Sequence, residues 1–130
     1  MERNTIQKQQ IIDILINCYT HPTIKELYKL VNKKYPNIGQ ATVYRTINKL
    51  VQDNIVIKID CNDGTHYDYN RNHYHFYCLN CKRITDVYLN SDIVNELLSS
   101  SKLTEVKRIN IIFEGICDNC KKINKGSVNS

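Results

Sequence analysis

Apolar residues in the first part of the chain recur at helical spacing and predict two short helices. The first runs from Ile6 to Cys18, and Thr5 is placed to cap its start. A His-Pro step then breaks the pattern. Thr23, followed three positions later by Glu26, forms a capping box for a second helix, which ends before Pro36.

The period of the pattern changes from 3.6 to 2 after a third helix. The apolar stripe from Ala41 to Val51 leaves a polar, partly basic face on that helix. Alternation over 55–60, a turn cluster at 62–64 and two alternating tyrosines then predict a β-hairpin. Three helices and a hairpin indicate a winged helix-turn-helix whose third helix enters the DNA major groove, with an unspecialised small α+β domain as the alternative.

A second, smaller α+β unit is predicted beyond a polar linker at Asn70, Arg71 and Asn72. Its elements are strands at 74–77 and 83–89, a helix from Asp92 to about Ser100 capped by Ser91, and a long alternating strand through Val106 and Phe113. The fold class is therefore α+β. The predicted boundaries are a winged-helix domain at 1–69, a hinge at 70–72, a small α/β dimerisation domain at 73–121 and a disordered tail at 122–130.

Composition narrows the possible functions. The 130 residues are 42% hydrophobic and 24% charged, and no stretch has the length of a membrane span or the layout of a secretory signal. We therefore expect a cytoplasmic protein with no membrane partner. The net charge is +5, and residues 1–60 carry nine basic and five acidic side chains against nine and eight in 61–130. This asymmetry favours nucleic-acid binding by the first half.

Two Cys-x-x-Cys units, each after a predicted strand, indicate a metal site. Four thiolates at this spacing match a tetrahedral structural zinc site. Two disulfides or a thiol redox couple are the alternatives, and the absence of an export signal argues against stable disulfides. The ligands would be Cys78, Cys81, Cys117 and Cys120, which leaves Cys18 and Cys61 as small buried hydrophobic residues.

A second group of candidate ligands combines imidazoles and carboxylates. His73 and His75 share one face of a strand. If Cys78 paired with Cys81 across a hairpin, residue 77 would lie opposite 82 and His73 would face Asp86 directly. Asp68 and His21 could add further donors, and such a set suits Fe²⁺, Mn²⁺ or Zn²⁺. The alternative is a scatter of polar side chains near strand ends, and His66 fits no ligand role and is expected to face solvent on the wing.

Five separated motifs resemble the ferric-uptake-regulator family. They are His21-Pro22-Thr23, the run from Ala41 to Thr46, the HxHxxCxxC of 73–81, Asp86 and the closing CxxC of 117–120. The resemblance implies a homodimeric, metal-dependent repressor with an N-terminal winged helix and a C-terminal dimerisation domain. It also implies Zn²⁺ at the four cysteines, a regulatory Fe²⁺ or Mn²⁺ at His21, Asp68, His73, His75 and Asp86, and DNA contacts by Arg3, Thr42, Tyr44 and Arg45.

The resemblance further suggests what the protein senses. Asp86 stands at a position where iron sensors of the family commonly have Glu, and its aspartate resembles the peroxide-responsive repressors. In that group, peroxide reacts with bound Fe²⁺ and a histidine ligand is oxidised. His21 and His73 occupy the oxidation-sensitive positions. The partner would be an AT-rich palindromic operator. Alternatives are an iron, manganese or zinc uptake regulator of the same family and, outside it, a small non-haem iron or thiol-redox enzyme.

Overall fold

The computed structural model describes residues 3–122, whose backbone belongs to two compact units, 1–71 and 72–130. The first unit contains α1 (Arg3–Ile16), α2 (Ile24–Lys34), α3 (Gln40–Gln52), β1 (Val56–Cys61) and β2 (Gly64–Tyr69). The second contains β3 (Tyr74–Cys78), β4 (Ile84–Val87), α4 (Ser91–Ser101) and β5 (Ile112–Gly115). The predicted α+β class is confirmed. Apart from Lys122, the tail expected to be disordered lies outside the described residues.

The helices of the first unit begin and end close to where the sequence predicts, with one exception. Thr23 accepts a hydrogen bond from the Glu26 backbone N–H, and the Glu26 side chain accepts one from the Thr23 N–H, so the capping box of α2 is confirmed. Helix α1 begins at Arg3, and Thr5 therefore lies inside it instead of capping it. The prediction of Thr5 as the N-cap was wrong because Arg3 and Asn4 already belong to the helix.

The core of the first unit is formed by the apolar stripes of its helices and one face of its hairpin. β1 and β2 are antiparallel, and the turn between them ends at Gly64, whose φ of 133° disfavours any residue with a Cβ. The fully or almost fully buried side chains in this core are Ile11, Leu15, Leu27, Val31, Ile38, Val43, Ile47, Leu50, Val56 and Tyr67. Three helices and a hairpin around this core form a winged helix-turn-helix.

The second unit is a three-stranded sheet with the order β4-β3-β5. β3 is antiparallel to β4 and parallel to β5. Three predictions need correction. Asn90, not Ser91, caps α4, since its side chain accepts from the Asp92 N–H at 2.8 Å. The strand expected over 83–89 is reduced to β4, and the long final strand is reduced to β5, because the paired registers with β3 end at these bounds.

The β3–β4 register differs from the predicted one by two residues. Cys78 donates its backbone N–H to the Arg83 carbonyl at 3.0 Å, so the loop holds residues 79–82 and Cys81 lies within it. Lys82, with φ of 66°, adopts the left-handed conformation that closes this loop. Asp86 therefore lies opposite His75, and the predicted pairing of Asp86 with His73 was wrong.

Among the described residues, no helix has the length and apolar character needed to cross a lipid bilayer.

Candidate metal sites and nucleic-acid interface

Four thiols of the second unit converge on one point. The two Cys-x-x-Cys units lie at the ends of β3 and β5. These strands are parallel neighbours, with Cys78 paired to Gly115, so the cysteines of both units lie at the same end of the sheet. The four sulfur atoms all lie within 4.8 Å of one another, and Cys81 Sγ lies 3.8 Å from Cys117 Sγ. A tetrahedral zinc ion with bonds of about 2.3 Å would require sulfur separations of about 3.8 Å. The cluster therefore fits zinc.

Backbone hydrogen bonds prepare one of these thiols to ionise. The N–H groups of Cys81 and Cys117 each point at Cys78 Sγ at 3.4 Å, and they lower the pKa of Cys78 to about 6. The Asn80 side chain lowers the pKa of Cys120, but burial and the three neighbouring thiols outweigh it and raise this pKa to about 11. Crowded thiols that resist full ionisation are stabilised by a divalent cation. A single four-thiolate site accounts for this arrangement better than two disulfides.

The second unit also brings two imidazoles to one carboxylate. His73 Nε2 lies 3.1 Å and His75 Nε2 3.7 Å from Asp86 Oδ1, and both histidines are buried. The two rings meet edge to face with centroids 4.5 Å apart. Tyr88 also stacks on His73, at 5.6 Å between ring centroids. Because strand side chains alternate, the two-residue change in register leaves Asp86 on the face shared by both histidines.

The first unit holds a similar pair of donors. His21 Nε2 lies 3.3 Å from Asp68 Oδ2, and both side chains are buried. His21 lies in the loop between α1 and α2, and Asp68 lies near the end of β2. Each unit therefore buries nitrogen and oxygen donors of the type that binds Fe²⁺, Mn²⁺ or Zn²⁺.

Arg71 fixes the other oxygen of Asp68. Its Nη1 donates to Asp68 Oδ1 at 2.9 Å, while Nη2 donates to the Ile16 carbonyl at 2.6 Å and approaches the Leu15 carbonyl at 3.4 Å. The guanidinium also lies over the Tyr19 ring, 4.3 Å from its centroid. Arg71 thus ties the carboxylate to the C-terminal end of α1. Sequence analysis missed this role, because a lone arginine in a polar stretch carries no signal.

His66 is not on the surface, so the expectation that it faces solvent was wrong. Only 12% of its side chain is exposed, and its Nδ1 lies 2.7 Å from the His21 carbonyl oxygen. Its Nε2 lies 3.1 Å from Asp63 Oδ1 in the hairpin turn. The one available sequence signal was its position two residues before Asp68, on the same face of β2.

The outer face of α3 is polar and basic. Arg45 and Lys49 are exposed, while Thr42 and Tyr44 are half-buried and Tyr44 Oη accepts from Gln40 Nε2 at 3.2 Å. An open groove of about 180 Å³ separates this face from α1, and it is lined by Gln7, Lys8, Thr42, Arg45, Thr46 and Lys49. Arg3 is the first residue of α1, and its side chain lies outside the described part of the structure.

Comparison with known proteins decides the family. The model of the ferric uptake regulator family matches residues 2–114. The chain belongs to this family. The resemblance inferred from the sequence is confirmed, and the family is one of transcriptional regulators, which sets the enzyme alternative aside.

Several relatives within the family are named for peroxide. The peroxide-responsive repressor of Staphylococcus epidermidis is 33% identical, with 92% of this chain aligned to 82% of that protein. The peroxide operon regulator of Bacillus subtilis is 31% identical over 92% of this chain and 85% of its own length. The crystal structure of the Campylobacter jejuni peroxide stress regulator superposes with a TM-score of 0.78 at 30% identity and covers 91% of both chains. This family member is a metal-dependent repressor.

Proposed function

We propose that this protein is a peroxide-sensing repressor that binds operator DNA while its regulatory site holds Fe²⁺ or Mn²⁺. The observation that carries the proposal is the shared carboxylate of Asp86, whose Oδ1 lies 3.1 Å and 3.7 Å from the Nε2 atoms of His73 and His75. Aspartate at this position matches the peroxide-responsive group. The names of the similar proteins from Staphylococcus, Bacillus and Campylobacter support the same choice.

The proposed regulatory ligands come from both sides of residues 70–72. They are His21, Asp68, His73, His75 and Asp86. A metal ion bound by donors from both halves of the chain favours one relative arrangement of those halves, because only that arrangement completes the coordination. The second proposed metal is a structural Zn²⁺ on the four clustered cysteines, whose sulfur separations support this assignment.

The proposed DNA contacts are Arg3, Thr42, Tyr44 and Arg45, with α3 in the major groove. Support comes from the exposed basic face of α3 and from the open groove beside α1. Phosphate contacts from Lys8 and Lys49, which line this groove, would add DNA affinity that falls as the salt concentration rises. The expected target is a palindromic, AT-rich operator, read by two copies of the chain in the cytoplasm.

A homodimer is supported by the apolar surface of the second unit. None of the residues of α4 is buried. Two of them are large and apolar, Ile93 at 52% and Leu97 at 48% exposure. Phe113 on β5 is also 45% exposed. Large apolar side chains left exposed in this way favour an interface with another subunit. Two-fold symmetry would then present two recognition helices to two operator half-sites.

The chemistry of sensing requires a redox-active metal and hydrogen peroxide. A bound Fe²⁺, held by the proposed regulatory ligands, would supply the redox chemistry that lets peroxide oxidise a neighbouring imidazole. In the net reaction, one oxygen atom of H₂O₂ is added to an imidazole carbon of His21 or His73, and the other leaves as water. Oxidation of either imidazole lowers its ability to hold the metal. The coordination that joins the two halves of the chain is then lost, and the operator is released.

Fluorescence anisotropy tests this function directly. The Fe²⁺-loaded and Mn²⁺-loaded proteins are titrated onto a family-type palindromic DNA before and after one equivalent of hydrogen peroxide. We expect loss of binding only in the Fe²⁺ form, with the mass of one oxygen atom added to a peptide containing His21 or His73. Retention of binding in both forms would refute peroxide sensing and leave a metal-uptake regulator, whereas no binding in either form would refute the repressor itself.

A further inference from the structure

His66 contacts two separate parts of the first unit through its two ring nitrogens. Nδ1 lies 2.7 Å from the backbone carbonyl oxygen of His21, and Nε2 lies 3.1 Å and 3.3 Å from the two carboxylate oxygens of Asp63. A carbonyl oxygen only accepts, so Nδ1 must be the donor in the first bond. His66 therefore connects a proposed metal ligand to the turn at the tip of the β1–β2 hairpin.

The backbone reinforces this connection. Tyr67 donates its N–H to the Pro22 carbonyl at 2.8 Å, and Thr23 forms an isolated antiparallel bridge with His66. The loop containing His21 is thus held against β2. Further along the same strand is Asp68, whose Oδ2 lies 3.3 Å from His21 Nε2. A single strand therefore carries one donor of this site and positions the other.

The conformation of His21 shows why such support is needed. Its φ is 54°, in the left-handed region that side chains with a Cβ disfavour. A residue persists in this conformation only where surrounding contacts hold it there. The hydrogen bond from His66 is made to the His21 carbonyl itself, and so acts directly on the backbone that aims the imidazole at Asp68.

We infer that His66 is a positioning residue of the regulatory metal site, which holds His21 in its binding conformation and connects it to the wing turn through Asp63. This inference rests on the proposed regulatory site. It predicts that metal binding is coupled to the conformation of the wing, which is the β1–β2 hairpin. When His21 is held by the metal, the contacts of His66 fix the turn at 62–64, and when His21 is released, the turn loses that support.

Two isosteric substitutions separate the contacts of His66. The amide of His66→Asn occupies the place of Nδ1 and keeps a donor to the His21 carbonyl, whereas the amide of His66→Gln reaches the place of Nε2 and keeps only the Asp63 contact. We expect His66→Gln to weaken Mn²⁺ binding about tenfold, as is typical for lost outer-shell support, and His66→Asn to stay within about threefold of wild type. Affinity is read from the electron paramagnetic resonance signal of free Mn²⁺.

The thermal midpoints of the metal-free proteins, measured in parallel, separate positioning from general stability. If His66→Gln lowers the midpoint but leaves Mn²⁺ affinity unchanged, the residue is merely structural and the inference is wrong. Equal losses of affinity in the Asn and Gln variants would also overturn it. The link to the wing is tested by Asp63→Ala, for which we expect Mn²⁺ affinity within twofold of wild type and operator affinity of the Mn²⁺ form reduced severalfold. Unchanged operator affinity would refute the link.

Failure of the proposed function itself would look different. His21→Ala is the reference, and it should lose Mn²⁺ affinity more severely than any His66 variant. If His21→Ala binds Mn²⁺ as well as wild type, the regulatory site is wrongly assigned. If His21→Ala loses binding while His66→Gln keeps it, the site stands and only the role of His66 is refuted.

Discussion

Arg71 donates a hydrogen bond of 2.9 Å to Oδ1 of Asp68, a carboxylate that is only 1% exposed. The other oxygen of the same carboxylate faces His21 Nε2 at 3.3 Å. Oδ1 thus faces the Arg71 guanidinium, and Oδ2 faces the imidazole of His21, a proposed metal ligand. Because Oδ1 is held by Arg71, we expect Oδ2, which faces His21, to be the oxygen that Asp68 offers to the proposed metal ion.

Replacing Arg71 should destabilise the first unit. Arg71→Gln removes the charged donor to a buried carboxylate and the bond of 2.6 Å to the Ile16 carbonyl. We expect a loss of about 1.5–3 kcal/mol in the free energy of unfolding, the range for hydrogen bonds to charged groups. Urea unfolding of the metal-free protein followed by circular dichroism measures it. The exposed Arg83 provides a control, and equal losses for Arg83→Gln and Arg71→Gln would contradict this role.

The four-cysteine cluster should be required for the second unit and not for the first. We expect Cys117→Ser to lose its bound zinc and to exchange the β3 and β5 amide protons much faster, because the two strands are then no longer joined at their ends. Protection in α1–α3 should persist. Cys61→Ser is the matched control and should retain one zinc ion per chain. Zinc content is measured by a colorimetric chelator, and exchange by mass spectrometry. Zinc retained by Cys117→Ser would contradict the assignment.

The sequence could predict that His73, His75 and Asp86 lie together, even though the predicted register of their two strands was wrong. His73 and His75 had to share a face, because a strand has a period of two. The cysteine spacing predicts a loop that closes between Cys78 and Cys81, but the loop closes at Arg83 through a left-handed Lys82. An error of two residues keeps side chains on the same face, whereas an error of one would have moved Asp86 to the opposite side.

Other features depended on contacts that are distant in sequence. Alternation through Val106 and Phe113 indicates an extended chain with two different faces, but it does not reveal where a partner strand ends, so β5 is shorter than expected. The role of His66 depends on the loop at His21, which lies 45 positions away. Nothing in the local pattern of the hairpin indicates that this loop lies against it.

Loss of the Asp86 charge should weaken the regulatory site. Asp86→Asn keeps the size of the side chain but replaces one carboxylate oxygen with an amide nitrogen, which is not a metal ligand. We expect at least about tenfold weaker Mn²⁺ binding, by comparison with the effect of losing outer-shell partners. The zinc content should not change. The exposed Glu96 offers the control Glu96→Gln, and an Mn²⁺ affinity for Asp86→Asn equal to that of this control would refute Asp86 as a ligand.

Arg45 should contribute to operator binding through its exposed side chain on α3. We expect Arg45→Ala to weaken binding of the Mn²⁺-loaded protein by about tenfold, the cost of one base contact. Anisotropy at several salt concentrations separates the two modes of contact. Loss of a base contact leaves the salt dependence nearly unchanged and relaxes the sequence preference. Loss of a phosphate contact lowers the slope of the logarithm of affinity against the logarithm of salt concentration by about one. Lys107, whose side chain is 78% exposed in the second unit, gives the control Lys107→Ala, which should bind DNA as wild type does.

The dimer should depend on the apolar surface of α4. Ile93 and Leu97 are four positions apart and therefore lie on the same face of the helix, each about half exposed. A glutamate at both positions places two charges in the proposed interface, where their desolvation opposes association. We expect Ile93→Glu/Leu97→Glu to sediment as a monomer in analytical ultracentrifugation and to keep its zinc. Asn95→Glu adds a charge at another exposed position of the same helix and should remain dimeric. A double variant that remains dimeric would show that the two copies associate through another surface.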